Sequence, residues 1–186
     1  MPLQSLLSAI GIVFVTEIAD KTMLTTLCLS AQYRRPLVVL LATMLALLLA
    51  SIIAVVIGTL LALSLPADLI LLISAGLFLI MGIHSFVKSI PEEDACRQPT
   101  TFLSMISLVL VSELGDKSQL AILALAAQSQ FPLFILFGSI AGFFIVNLIG
   151  AFAGDRAANR LPIQLINKAT GAIFIIFAIL IMLNIL

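Results

Sequence analysis

The sequence predicts an all-α integral membrane protein with six transmembrane helices, arranged as two inverted three-helix repeats. Composition, the length of the apolar runs and an internal repeat lead to this fold class. Of 186 residues, 62% are hydrophobic and 10% are charged, whereas a soluble domain carries about 25% charged residues. Most apolar runs reach roughly 20 residues, the length that crosses a bilayer. We therefore expect the lipid bilayer as the surroundings of the chain.

Six apolar segments define the expected helices, at residues 3–31, 36–64, 67–90, 99–128, 132–158 and 162–186. Prolines stand at or near four of the predicted helix starts, where a missing N–H costs little. They are Pro36, Pro66, Pro132 and Pro162. The longest polar stretch divides the chain near its middle. The predicted domains are a first repeat at 1–90, a cytoplasmic linker at 91–98 and a second repeat at 99–186.

The basic residues outside the helices predict the orientation, because cytoplasmic connections are enriched in Lys and Arg. These basic residues flank the first, third and fifth connections between helices. The second and fourth connections and the two chain ends contain no Lys or Arg. Both termini are therefore expected in the periplasm, and the protein in the bacterial inner membrane. The formal net charge is zero, and no basic patch favours nucleic acid. The sequence leaves open whether the chain forms a homo-oligomer.

The two halves of the sequence align without a gap at an offset of 96 residues, the separation of Glu17 and Glu113. The polar and proline matches carry the information, because apolar residues match by chance in any membrane protein. Asp20 falls on Asp116, Lys21 on Lys117, Pro36 on Pro132 and Pro66 on Pro162. Three helices per repeat force the second repeat to enter from the opposite side. In such inverted repeats the binding site lies near the midplane.

Each half carries a charged motif about halfway along its first predicted helix. The motifs run from Thr16 to Thr22 and from Ser112 to Ser118, and each contains one Glu, one Asp and one Lys. An ionisable group at this depth costs about 2.5–3.5 kcal/mol, so six would cost roughly 15–20 kcal/mol. A typical domain is stable by only about 5–15 kcal/mol. These side chains must therefore face one another, water or an ion.

The spacing i, i+3 and i+4 places Glu17, Asp20 and Lys21 on one face of a continuous helix. The second motif repeats this spacing with Glu113, Asp116 and Lys117. If the two faces meet, four carboxylates and two lysines sum to a charge of −2, which one divalent cation neutralises. An empty site could instead take up protons, because desolvation and neighbouring negative charge favour a protonated carboxyl. The alternative is a helical Glu–Lys pair, which leaves both aspartates uncompensated.

Oxygen ligands from the four carboxylates, and from Thr22 and Ser118, suit Mg²⁺, Ca²⁺ or Mn²⁺. Met23 could add a softer thioether, which favours Mn²⁺, and its counterpart in the second half is Gln119. Asn147 lies within the fifth predicted helix, and an interhelical hydrogen bond is favoured for it over a place in the site. The isolated cysteines Cys28 and Cys96 are not expected to form a disulfide.

The doubled pattern Glu-apolar-Gly-Asp-Lys-Thr/Ser in a six-span chain resembles the Gdt-type cation/proton exchangers. This family includes Golgi calcium/manganese transporters and bacterial manganese exporters of the MneA type. The resemblance implies manganese export with Glu17, Asp20, Glu113 and Asp116 as the functional carboxylates. Ala19 departs from the pattern, which has Gly at this position, and the first helix is expected to kink less than the helix that contains Gly115.

The expected function is therefore secondary active export of Mn²⁺ in exchange for protons. The metal is then cargo, and no resident cofactor or enzyme activity is expected, because the sequence contains no nucleophile–base pair or cofactor motif. Ca²⁺/H⁺ exchange, a passive divalent cation channel and a non-transporting scaffold are the alternatives. A scaffold leaves the duplicated carboxylates unexplained, and a midplane acid cluster within an inverted repeat favours a carrier over a channel.

Overall fold

The computed structural model describes residues 1–18, 20–87, 101–153 and 163–183, and all of the regular secondary structure in these ranges is α-helical. In chain order, the described helices are α1 (Pro2–Glu17), α2 (Lys21–Tyr33), α3 (Pro36–Ser64), α4 (Ala67–Val87), α5 (Phe102–Glu113), α6 (Lys117–Gln128), α7 (Pro132–Ala153) and α8 (Ile163–Met182).

The predicted helices 3–31 and 99–128 are each broken in the structure, which corrects the expectation of two continuous helices. α1 ends at Glu17 and α2 begins at Lys21, and the two axes differ by 64°. α5 and α6 are separated in the same way. In the second half Gly115 has a φ of +82°, a backbone conformation that glycine adopts readily and that ends an α-helix. Ala19, for which a weaker kink was expected, lies outside the described residues.

The helix boundaries and the helix contacts both follow the 96-residue repeat. α1 packs on α7 while its counterpart α5 packs on α3, and α2 packs on α7 while α6 packs on α3. The remaining large contacts join counterparts directly, α3 with α7 and α4 with α8. The long helices α3 and α7 therefore lie at the centre, and the broken helices of each half pack on the long helix of the other half.

Glycines allow the closest of these helix contacts. A Cβ atom added at Gly58 would meet the backbone carbonyl of Leu123, and one added at Gly142 would meet Ile10 and Val13 of α1 at 3.0 Å. Gly82 approaches Gly171 across α4 and α8 in the same way. Gly76 of α4 differs from these glycines, because a Cβ added there would meet nothing within 4 Å. It therefore does not contribute to close helix packing.

Three described helices are long and apolar enough to cross a membrane, over Pro36–Ser64, Ala67–His84 and Pro132–Phe152, and the bent α1–α2 pair adds a fourth span if counted as one. Large apolar side chains such as Leu41, Leu49 and Phe137 lie exposed on α3 and α7. An exposed apolar surface of this kind suits lipid. The chain is a multi-pass helical membrane protein, while the count of six spans and their inversion stay predictions.

Cys28 corrects another expectation, since it is disulfide-bonded in the structure. The chain has two cysteines, and Cys96 lies outside the described residues.

Candidate metal centre

The helix breaks place the four motif carboxylates at helix ends. Glu17 and Glu113 are the last residues of α1 and α5, while Asp20 and Asp116 are the N-cap residues of α2 and α6. The backbone bonds agree in the two halves, because the N–H of each aspartate donates to the carbonyl of the glutamate three residues earlier, at 3.1 Å and 3.0 Å. The motif residues therefore do not share one face of a continuous helix. The break brings them together instead.

Three of the carboxylates converge. Glu17, Asp20 and Asp116 each offer one oxygen, and these three oxygens lie within 4.8 Å of one another. Glu17 is completely buried, Asp20 is 5% exposed and Asp116 is partly buried. Neither carboxylate oxygen of Glu17 accepts a hydrogen bond from any described residue. A buried carboxylate without a partner is costly, and a bound cation would remove that cost.

Glu113 is brought to the same region but points its carboxylate at a hydroxyl. It is 1% exposed, and its Oε1 accepts a hydrogen bond from the Thr22 hydroxyl of the other half. Ser118, the counterpart of Thr22, lies beside Glu17 without the geometry of a full hydrogen bond. The hydroxyl at the end of each motif thus lies beside the glutamate of the other motif.

The lysine of the second motif also reaches across the halves. Lys117 Nζ lies 2.8 Å from Asp20 Oδ2, and the lysine side chain is 19% exposed. The structure thus gives Lys117 an ion pair with the other motif rather than the helical Glu–Lys pair that the sequence offered as an alternative. The side chain of Lys21 is outside the described part of the structure.

The further candidate residues have different surroundings. Met23 is 2% exposed, and its backbone carbonyl and side chain approach Gly150 of α7. Gln119 is 5% exposed, and neither its amide nitrogen nor its amide oxygen meets a hydrogen-bond partner among the described residues. Asn147 makes the interhelical hydrogen bond that the sequence favoured, since its Oδ1 accepts from Thr26 of α2 at 2.8 Å.

Two polar features were missed from the sequence. The first is a pair of threonines, Thr26 of α2 and Thr43 of α3. Their hydroxyl oxygens lie 3.3 Å apart, and both side chains are fully buried. A cavity of about 270 Å³ also opens where α1 and α7 begin and α6 ends. Polar residues contribute much of its lining, among them Gln4, Ser5, Ser8, Gln128, Ser129 and Gln130. Isolated Ser, Thr and Gln residues carry no sequence signal of this kind, because only the packing brings them together.

A broken-helix membrane protein with a buried acidic cluster belongs to the class of ion transporters, because ionisable residues buried among membrane helices mark ion pathways. Broken helices whose ends meet at a midplane site are a recurrent feature of secondary transporters. The chain itself belongs to the GDT1 family, whose model is described as a divalent cation/proton antiporter and matches residues 5–93 and 101–186.

Individual relatives are consistent with this membership. A putative manganese exporter of Vibrio cholerae is 28% identical over 96% of this chain and 92% of its own length. A chloroplast PAM71-homolog of Arabidopsis thaliana is 33% identical over 53% of this chain and 28% of its own length. The divalent cation/proton antiporter GDT1 of Saccharomyces cerevisiae is 30% identical over 42% of this chain and 28% of its own length. No solved structure matches the chain.

Proposed function

We propose that this protein exports Mn²⁺ across the bacterial inner membrane in exchange for protons, through one site built by both motifs. The observation that carries the proposal is the convergence of Asp20 and Asp116 on the fully buried carboxylate of Glu17, which accepts no hydrogen bond within the described part of the chain. Carboxylate oxygens are ligands for hard divalent cations. The name of the Vibrio cholerae relative supports manganese as the cargo, and family membership supports protons as the counter-ion.

Glu113 completes the proposed set of four carboxylates. Its Oε1 already accepts a hydrogen bond from Thr22, and this bond holds the carboxylate in place from the other half of the chain. Lys117 compensates one negative charge through its ion pair with Asp20. With Lys21 included, the four carboxylates and two lysines sum to −2, so one divalent cation neutralises the site. The protein would be a carrier with a transported metal and no resident cofactor or catalytic chemistry.

The proposed arrangement in the membrane keeps the six spans as two inverted repeats, at 1–90 and 99–186, with a cytoplasmic linker at 91–98 and both termini in the periplasm. Reciprocal packing of α1 on α7 and of α5 on α3 supports the two-repeat arrangement. An inverted pair of repeats can open its central site to either side of the membrane in turn. That property makes exchange of a metal for protons possible at a single site.

Exchange follows from the charge of the site. Crossing the membrane with a bare charge of −2 in surroundings of low dielectric constant is costly. The carrier should therefore return with protons in place of the metal. Protons and Mn²⁺ compete for the same oxygens, so the metal affinity should weaken as the pH falls.

The test is metal-driven proton movement in reconstituted vesicles, with equal pH on both sides at the start and the membrane voltage set to zero. A Mn²⁺ gradient should move protons in the opposite direction, as read by a pH dye in lightly buffered vesicles. Metal flux without a pH change would instead indicate a channel or uniporter. Parallel measurements with Ca²⁺, Mg²⁺ and Fe²⁺ establish the cargo, and faster exchange of Ca²⁺ than of Mn²⁺ would make this a calcium exporter.

A further inference from the structure

We propose that a stripe of buried hydroxyls on α2 is the route by which the divalent cation passes between the carboxylates and the end of the bundle where α2 ends. The stripe consists of Thr22, Thr26 and Ser30 and is called the α2 hydroxyl stripe here. This inference rests on the proposed transport function and names the side chains that one half of the pathway would use.

The spacing of the stripe follows the helix. Its members lie four residues apart on α2 (Lys21–Tyr33), so they lie one above another on one face. Their exposures are 3%, 0% and 6%, so the stripe faces the interior of the bundle and not lipid. Hydrogen-bonding groups that line a pathway contribute to ion selectivity in membrane proteins.

The stripe begins at the carboxylates and continues away from them. Thr22 donates its hydroxyl hydrogen bond to Glu113. One turn further, Thr26 meets Asn147 at 2.8 Å and Thr43 at 3.3 Å, which gathers oxygen atoms from three helices at one level. After another turn, the Ser30 hydroxyl is buried without a hydrogen-bond partner among the described residues. A buried hydroxyl of this kind offers its oxygen to a passing ion.

The second half of the chain lacks the stripe at the same positions of α6. Thr22 corresponds to Ser118, but Thr26 corresponds to Ile122 and Ser30 to Ala126. Ile122 is completely buried and Ala126 nearly so. The repeat therefore conserves the oxygen nearest the carboxylates and replaces the two outer oxygens by apolar side chains. If the hydroxyls only helped helices to pack, the two halves would have no need to differ in this way.

The chemistry of the stripe suits transit better than storage. Neutral hydroxyl and amide oxygens replace part of the hydration shell of a hard cation. They hold it less strongly than carboxylates do, and a pathway requires sites weak enough for the ion to leave. The cation would thus be held by the carboxylates and handed on by the stripe.

The test compares Ser30→Ala, Thr26→Val and Thr26→Ser with the wild type, in reconstituted vesicles and in purified protein. Ser30→Ala and Thr26→Val should each slow Mn²⁺ flux about tenfold, the effect of losing one polar contact at the barrier. The Mn²⁺ dissociation constant, measured by calorimetry, should stay within about twofold, because the carboxylates remain. Thr26→Ser keeps the hydroxyl and should restore the flux.

Ser139→Ala is the matched control, because Ser139 is fully buried and donates to the Ile135 carbonyl of its own helix. It should leave the flux unchanged. Ser30→Ala also distinguishes a role of the stripe in transport from a purely structural role. This substitution removes no hydrogen bond seen in the described residues, so it should slow the flux without lowering the thermal stability. Normal flux in both Ser30→Ala and Thr26→Val would overturn the stripe as a route. Absence of exchange in the wild type would instead overturn the proposed function itself.

Discussion

Lys117 and Asp20, one from each half of the chain, form an ion pair with 2.8 Å between Nζ and Oδ2. A lysine four residues after a glutamate would ordinarily be expected to pair within its own helix. The helix break between Glu113 and Lys117 allows the lysine to reach the opposite motif instead. Each motif is therefore completed by residues of the other, and substitutions in one half should affect the other.

Glu17 should be required for metal binding and costly to stability when no metal is present. Glu17→Gln keeps the size of the side chain and removes a buried charge that no described residue bonds. We expect Mn²⁺ affinity to fall at least about tenfold, one charged ligand having been lost. At a pH high enough to remove the proton from this carboxyl, the melting temperature of the metal-free protein should rise by a few degrees, roughly 2–4 °C per kcal/mol for a chain of this size. A lower melting temperature of Glu17→Gln under these conditions would contradict the claim that the buried carboxylate destabilises the metal-free protein.

Asp20→Asn and Asp116→Asn should each abolish export while the protein still inserts. Asn keeps one carbonyl oxygen but loses the charge that holds a divalent ion. Cells that lack other exporters should become sensitive to manganese, and membrane blots should show normal amounts of protein. Normal export by either variant would remove that aspartate from the site.

The Lys117–Asp20 ion pair gives Asp20→Asn a further expected effect, on stability. Asp20→Asn leaves Lys117 without the carboxylate that it contacts, and removing one partner of a largely buried ion pair costs several kcal/mol. The added substitution Lys117→Met should therefore recover stability in the Asp20→Asn background without recovering transport. Thermal unfolding of the single and double variants measures this. If the added substitution lowers stability further, the Lys117–Asp20 pair is not what stabilises Lys117.

The hydrogen bond from Thr22 should position the Glu113 carboxylate. Thr22→Val has a similar shape but no hydroxyl, and a hydrogen bond to a charged group contributes about 1.5–3 kcal/mol. We expect Mn²⁺ affinity to fall roughly tenfold in Thr22→Val and to stay near the wild-type value in Thr22→Ser. Calorimetric titration of both variants provides the comparison, and equal affinities for Val and Ser would argue against this role.

Gly58 should be required for the packing of α3 on α6. A Cβ at Gly58 would collide with the Leu123 carbonyl, whereas one at Gly76 would meet nothing within 4 Å. Gly58→Ala should therefore lose about 1–3 kcal/mol of stability, as overpacking does. Gly76→Ala is the matched control and should be neutral or slightly stabilising, because Ala favours helices. Unfolding in detergent by a graded denaturant series would show the difference.

Both termini should be accessible from the periplasm. Impermeant thiol labelling of a cysteine placed at residue 186, in intact cells, should therefore succeed before lysis, with the natural cysteines replaced. Labelling only after lysis would place the C-terminus in the cytoplasm and would rule out the inverted arrangement proposed here.

The sequence alone was sufficient to identify the class of protein and to select the candidate residues of the site. Apolar length indicated membrane helices, and the two charged motifs at one offset indicated a duplicated site. Both inferences rest on residue type and spacing, which do not depend on how helices pack. The reciprocal helix contacts found in the structure follow the same offset, since equivalent helices have equivalent partners.

Only the tertiary structure decided how the motif residues meet. An argument from residue spacing assumes an unbroken helix. The helix is in fact broken here, because Gly115 has a positive φ and Asp116 is the N-cap of the next helix. A Gly–Asp step could have suggested the break, because glycine ends helices and aspartate begins them. The pairing of Lys117 with Asp20 and the meeting of Thr26, Thr43 and Asn147 could not be predicted, because they depend on which helices pack together.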